Sequence, residues 1–98
     1  MKKGYWVVAY RSVSDPEALK QYGTLAMKAI AAGGGRTIVR TADAIEPRES
    51  GLKQRTVVTE FESFEKALET YNSAAYAEAR KVLGSAADRD FRIVEGAE

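Results

Sequence analysis

The stretch "GYWVVAYRSV", residues 4–13, is apolar or aromatic on both sides of its alternation: Tyr5, Val7 and Ala9 on one side, Trp6, Val8 and Tyr10 on the other. Aromatic and β-branched residues in this density predict a strand. An antiparallel strand with one wet face alternates apolar with polar residues, whereas this one is apolar on both faces. It must therefore lie in a sheet covered from both sides. "QRTVVTEF", residues 54–61, with Val57 and Val58 adjacent, repeats the signal.

The flanking sequence supplies cover for one side. In "SDPEALKQYGTLAMKAIAAGGG", residues 14–35, two helix starts overlap. Ser14 with Glu17 forms a capping box, and Asp15 is an N-cap with Pro16 at the first helical position. Leu19, Tyr22, Leu25, Ala26, Ala29 and Ile30 recur at steps of three and four, which gives the helix one core-facing stripe. Gly33, Gly34 and Gly35 follow that helix. A phosphate-binding glycine loop precedes its helix, so these glycines read as a C-terminal cap.

"RTIVRTA", residues 36–42, predicts a second strand, joined to the third by the polar connection "DAIEPRESGLK". Ser63 caps another helix with Phe64, Ala67, Leu68 and Tyr71 inward. Asn72 and Ser73 interrupt it, and Ser73 caps a further segment from Ala74 to about Leu83. "DFRIVEG", residues 90–96, is the last strand. The order βαββαβ is the ferredoxin-like arrangement, α+β in class: one antiparallel four-stranded sheet with its helices on one face, in a single domain spanning 1–98. The helices leave the second apolar face of residues 4–13 bare. Such a face marks an interaction surface, and its simplest cover is a second copy of the same sheet.

Composition narrows the chemistry. The 98 residues contain no Cys and no His. Disulfides, thiolate nucleophiles, Cys- or His-ligated metals and a His general base are thereby excluded, and no cofactor is expected. A net charge of +1 gives no footprint of a nucleic-acid or anionic-membrane binder. Single-stranded RNA stacked on the sheet aromatics is an alternative cover. However, "LKQRTVVTEF" lacks the basic and aromatic signature that such a strand carries. The apolar run near the start ends at Arg11, too short for a membrane helix, and no small-residue cleavage site follows. A soluble, cytoplasmic protein is expected.

The segments "GYWVVAYRSVSDPEALKQY", "GGRTIVR", "VVTEFES", "YNSAAY" and "AADRDFRIVEG", in this order over nearly the whole chain, resemble the family called domain of unknown function 1330, of the dimeric α/β-barrel superfamily. The resemblance implies a ferredoxin-like protomer and a homodimer whose sheets close into a barrel-like interior. Superfamily relatives include cofactor-free monooxygenases, haem-handling enzymes and proteins with no known chemistry. Tyr71, Ser73, Tyr76, Arg89, Arg36 and Arg40 match the family pattern. Ala75 and Leu83 stand where that pattern has Glu and Arg. If that pair lines a pocket in relatives, the pocket here is more apolar.

The candidate site residues each carry two readings. Trp6 and Tyr10 can floor a pocket between sheet and helices, or be packing. Arg36 and Arg40, like Arg11, can hold a carboxylate or phosphate, or be solvated charges. Glu60 shares a face with Val58; if that face is inward, burial can make its carboxyl a base, and otherwise it belongs to an ion-pair network. Tyr22, Tyr71 and Tyr76 can aim hydroxyls into a cleft or fill the core, with Arg80 one helical turn beyond Tyr76. The function expected is that of a homodimer binding a small organic ligand in an apolar cleft. A cofactor-free enzyme of monooxygenase type, or a dimer with a purely structural or interaction role, are the alternatives.

Overall fold

The computed structural model describes residues 2–98. Its elements are β1 (Gly4–Val13), α1 (Pro16–Ala32), β2 (Arg36–Thr41), β3 (Thr56–Phe61), α2 (Phe64–Tyr71), α3 (Ala74–Leu83) and β4 (Ala87–Glu95). The strands form one antiparallel sheet in the order β2-β3-β1-β4. This is the ferredoxin-like βαββαβ arrangement, with the second helical unit in two pieces.

The caps follow the local chemistry. Asp15 is the N-cap of α1, its carboxylate accepting from the Ala18 amide at 3.2 Å, with Pro16 next. Of the two overlapping starts, the Asp-Pro one is used. Ser14 instead turns its hydroxyl to the Ser85 and Ala86 carbonyls in the turn before β4. Gly33 caps the far end, and Gly34 takes the left-handed backbone, φ 75°, that a side chain resists. Ser63 and Ser73 accept from the Lys66 and Tyr76 amides at 3.1 and 3.2 Å. The Asn72–Ser73 corner is thus the end of one helix and the cap of the next.

Strand pairing sorts the side chains into two faces. On the helix side, Trp6 sits between Thr59 and Ile93, Val8 between Val57 and Phe91, and Tyr10 beside Arg89. On the other side, Tyr5 sits between Glu60 and Val94, Val7 between Val58 and Arg92, and Ala9 between Thr56 and Asp90. Trp6, Val8 and Tyr10 are buried; Tyr5, Val7 and Ala9 are half-buried. Both apolar faces of β1 exist as the alternation predicts, and the helices cover only the first.

Some details differ from the sequence expectation: β2 ends at Thr41 rather than at residue 42, and β3 begins at Thr56 rather than at residue 54. β4 begins at Ala87 rather than at residue 90, because beyond an irregularity at Arg11 it keeps pairing, Asp88 with Ser12 and Ala87 with Val13. β2 carries an extra residue, Ile38, where its register with β3 shifts. The buried face of α2 is Ala67 and Thr70, while Leu68 is exposed. Thr70 can turn inward because its hydroxyl is satisfied by the Lys66 carbonyl at 2.8 Å. Gly33 lies directly on it, where a Cβ would overlap the Thr70 side chain.

The helices do not sit equally close to the sheet. α2 lies against β1, β3 and β4 through the fully buried Ala67, whereas α1 packs chiefly along α3. Ala26, Ala29 and Ala79 keep small side chains in the buried α1 and α3 faces. Such residues let helix backbones approach closely. Drawn to α3, α1 stands off the half of the sheet that α2 leaves uncovered.

Candidate functional site

That standoff leaves a cavity of about 490 Å³ between α1 and the helix-facing side of the sheet. Trp6, Val8, Val57 and Phe91 form its sheet wall, and Leu19, Ala26, Met27 and Ile30 of α1 form its roof. Polar groups gather around this apolar space: Tyr10, Tyr22, Thr37 and Thr59, with Lys20, Arg40, Arg55 and Arg89. All four charged residues of the lining are cations.

At one end the cavity meets a buried phenol pair. The Tyr22 and Tyr76 hydroxyls are 2.6 Å apart, and Arg89 donates to the Tyr22 oxygen at 3.0 Å. Tyr22 comes from α1, Tyr76 from α3 and Arg89 from β4, so the cluster ties three elements together. Burial holds the Tyr76 phenol well above its ordinary range, helped by the Tyr22 oxygen and opposed by the Arg89 charge. For Arg89, burial works against the charge, but the Tyr22 and Tyr76 oxygens outweigh it and hold the guanidinium above its already high ordinary value. The guanidinium also lies over the rings of Tyr22, Phe91 and Tyr10, at 5.0, 5.1 and 5.7 Å.

The candidates named from the sequence fall into three places. Trp6, Tyr10, Tyr22 and Arg40 line the cavity. Tyr76 is fully buried behind it, in reach through Tyr22. Tyr71 and Arg80 belong to a second hollow of about 420 Å³, lined also by Leu83, Asp88, Arg89 and Phe91. There the Arg80 guanidinium stacks 4.7 Å from the Tyr71 ring centre, and its buried Nε has no hydrogen-bond partner among the described residues. Arg36 and Glu60 stand on the opposite side of the sheet, 3.3 Å apart, where Lys3 and the Tyr5 hydroxyl also reach Glu60. Glu60 therefore does not enter the cavity. Its face is the one without helices, and it is held in an ion-pair network.

Ala75 is exposed on α3 and Leu83 is buried, and neither lines the main cavity. Eight positions on a helix are about 12 Å apart. The Glu and Arg replacements therefore do not touch the lining of the main cavity. Its cations come from elsewhere. Arg55 and Lys20 carried no signal beyond their charge. Arg89 matched the family pattern, and its place two residues before Phe91 on β4 puts it on the same face. Among the described residues no group of three or more acidic, His or Cys side chains is placed to hold a metal ion, and no helix is long and apolar enough to cross a membrane.

Sheet order, split helix and helix-roofed cavity define a ferredoxin-like α+β protein. The chain belongs to the family Domain of unknown function (DUF1330), whose model matches residues 3–97. A comparison with curated proteins finds no match. Among solved structures, a protein of unknown function from Rhodopseudomonas palustris is similar at a TM-score of 0.70 and 17% identity, over 99% of this chain and 84% of that one. A dimeric ferredoxin-like protein of unknown function from Thermobifida fusca is similar at 0.63 and 13%, over 96% and 91%. A candidate antibiotic biosynthesis monooxygenase from Nitrosomonas europaea is similar at 0.63 and 18%, over 98% and 99%. At these identities the likeness is one of fold.

The raised Tyr76 value has a consequence for stability. An unfolded tyrosine ionises near pH ~10, whereas Tyr76 in the fold keeps its proton above that. The unfolded chain then binds fewer protons than the native one, so stability falls as pH rises beyond about 10 and is fully present below it. In an absorbance titration Tyr76 is expected to ionise only as the protein unfolds. Tyr76→Phe is expected to remove that late step. Five tyrosines titrating near pH ~10 with the circular dichroism unchanged would contradict it.

Proposed function

We propose that this protein binds a small organic molecule in the cavity beneath α1, and that it works as a homodimer paired through the helix-free face of its sheet. The cavity carries the first part. Its volume of about 490 Å³ falls in the ~300–1,000 Å³ range of small-molecule sites, and apolar walls with a few convergent polar groups are the usual composition of one. Half-buried Phe91 offers flat apolar surface with the buried Trp6 behind it, and Tyr22 and Arg89 offer fixed donors. A cytoplasmic location belongs to the same proposal, and neither nucleic acid nor membrane is a partner in it.

Pairing rests on the rows of the outer face. Val39, Val58 and Val7 run side by side across β2, β3 and β1. Ion pairs flank them: Arg36 and Lys3 with Glu60 toward one edge, Arg11 and Arg92 with Asp90 toward the other. An apolar centre with a charged rim is how interfaces are built, and a two-fold axis lets the same row meet its own copy. The Thermobifida fusca neighbour is described as dimeric.

A second reading makes the cavity a site for cofactor-free oxygenation, in which the substrate supplies the reactive anion and the protein positions it. The Tyr22, Tyr76 and Arg89 cluster and the likeness to the Nitrosomonas europaea protein favour it. The ligand-binding reading asks less of the residues and is the one adopted.

A thermal-shift panel of small aromatic and aliphatic acids, alcohols and amides tests the cavity. At least one compound is expected to raise the melting temperature saturably, and Gly23→Phe is expected to abolish the rise. Gly23 lines the cavity, and no neighbouring atom comes within 4 Å of the point where a Cβ would stand, so a side chain there can fill the space without breaking the helix. A uniformly flat panel, or binding indifferent to Gly23→Phe, would remove the reading. For pairing, sedimentation velocity is expected to give a dimer for the parent chain and a monomer for Val58→Arg, which sets like charges across the two-fold axis. A parent monomer at micromolar concentration would overturn the dimer.

A further inference from the structure

The hydrogens of the phenol pair can be assigned by exclusion. Tyr76 is fully buried, and the Tyr22 oxygen is the only acceptor bonded to its hydroxyl among the described residues, since Arg89 beside it can only donate. If Tyr22 donated to Tyr76, the Tyr76 hydrogen would have no acceptor, and a buried donor left unpaired is penalised. Tyr76 is therefore the donor. The Tyr22 oxygen then accepts twice, from Tyr76 and from Arg89, and its own hydrogen has no acceptor among the described residues. Tyr22 lines the cavity, which is where that hydrogen can be used. Accepting from a phenol and a cation also polarises the hydroxyl and strengthens it as a donor.

Arg89 supplies the matching charge. It enters no ion pair with a carboxylate among the described residues, and of the five hydrogens a guanidinium can donate it uses only those that reach the phenol pair, Tyr22 at 3.0 Å and Tyr76 beside it. Arg55, Arg40 and Lys20 add positive charge to the lining, and no carboxylate offsets them. A half-buried cation that stacks on rings, bonds a phenol and makes no ion pair even with Asp88, which shares the second hollow with it, is suited to an anion brought from outside.

We infer that the cavity takes an organic oxyanion: a flat apolar body against Phe91 and Val57, with a carboxylate or comparable anionic oxygen accepting from the Tyr22 hydroxyl and the Arg89 guanidinium. The inference rests on the cavity being a ligand site and adds the charge and orientation of what it holds. Tyr76 is a positioning residue in this arrangement, since it acts by turning the Tyr22 hydrogen outward.

Calorimetric titration with matched pairs tests it: benzoate against benzamide, 2-naphthoate against 2-naphthamide, and inorganic phosphate alone. At least one acid is expected to bind ten-fold or more tighter than its amide, the scale of a hydrogen bond to a charged group, and phosphate is expected to bind far more weakly. Tyr22→Phe and Arg89→Met are each expected to erase the preference for the acid while leaving the amide's affinity within about two-fold. Should Tyr22→Phe fail to fold, the parent protein's acid-to-amide ratio and the Arg89→Met variant still decide. Amides binding as well as their acids would overturn the inference and leave the cavity standing as a ligand site. Phosphate binding as tightly as the acids would overturn it too, since the apolar body would then contribute nothing. No binding by either member of any pair would remove the inference together with the ligand-site reading.

Discussion

The indole of Trp6 is the interaction on which the rest of this structure depends. It projects from the central strand β1 toward the helices, and its ring meets those of Tyr76, Phe61, Phe91 and Tyr71 at centroid distances of 4.8, 4.9, 5.3 and 6.1 Å. Its N–H donates to the Ala67 carbonyl at 3.0 Å, which fastens α2 to the sheet in one position. A buried indole needs such a partner, and a helix interior rarely offers a carbonyl for it. Here Ala67 carries so small a side chain that the α2 backbone comes within reach.

From that pin the cavity follows as a geometric remainder. α2 is only eight residues long, and the Asn72–Ser73 corner turns the chain into α3 before the whole sheet is covered. α3 then offers Tyr76 and Ala79 to α1, and α1 packs there through Tyr22, Ala26 and Ala29. The hydrogen bond between Tyr22 and Tyr76 links the two helices at their buried face, and Arg89 joins them to β4. The same contacts that support α1 at a distance from Val57 and Phe91 thereby set donors and charge at the end of the space beneath it. Support of the fold and the chemistry of the site are in this sense one network.

Most of the architecture was legible in the sequence because each element announced itself locally. Asp15-Pro16, Ser63 and Ser73 are caps with a definite partner three residues on, and the two apolar faces of residues 4–13 required a covered central strand. The site was legible in part. Trp6, Tyr10, Tyr22 and Arg40 are on the cavity, while Arg36 and Glu60 are on the other side of the sheet. Alternation could group Glu60 with Val58, but which of two apolar faces the helices take is decided by tertiary packing. The start of β4 escaped notice because "ADR" has no strand preference of its own and pairs only because β1 continues beside it. The space itself could not be read from residue types. It arises from how far α1 stands from the sheet, a distance that no periodicity encodes.

Trp6 is the chain's only tryptophan, so a single indole N–H reports on both of its roles. A nitrogen-edited proton spectrum of that group, followed through hydrogen exchange and then through titration with 2-naphthoate, tests the account most directly. The account predicts one slowly exchanging signal, as befits a bond to the Ala67 carbonyl inside the core, that moves saturably as a ring enters the space beside it. A rapidly exchanging indole, or a protected one that no aromatic compound displaces, would contradict the claim that one residue both pins α2 and walls an open cavity.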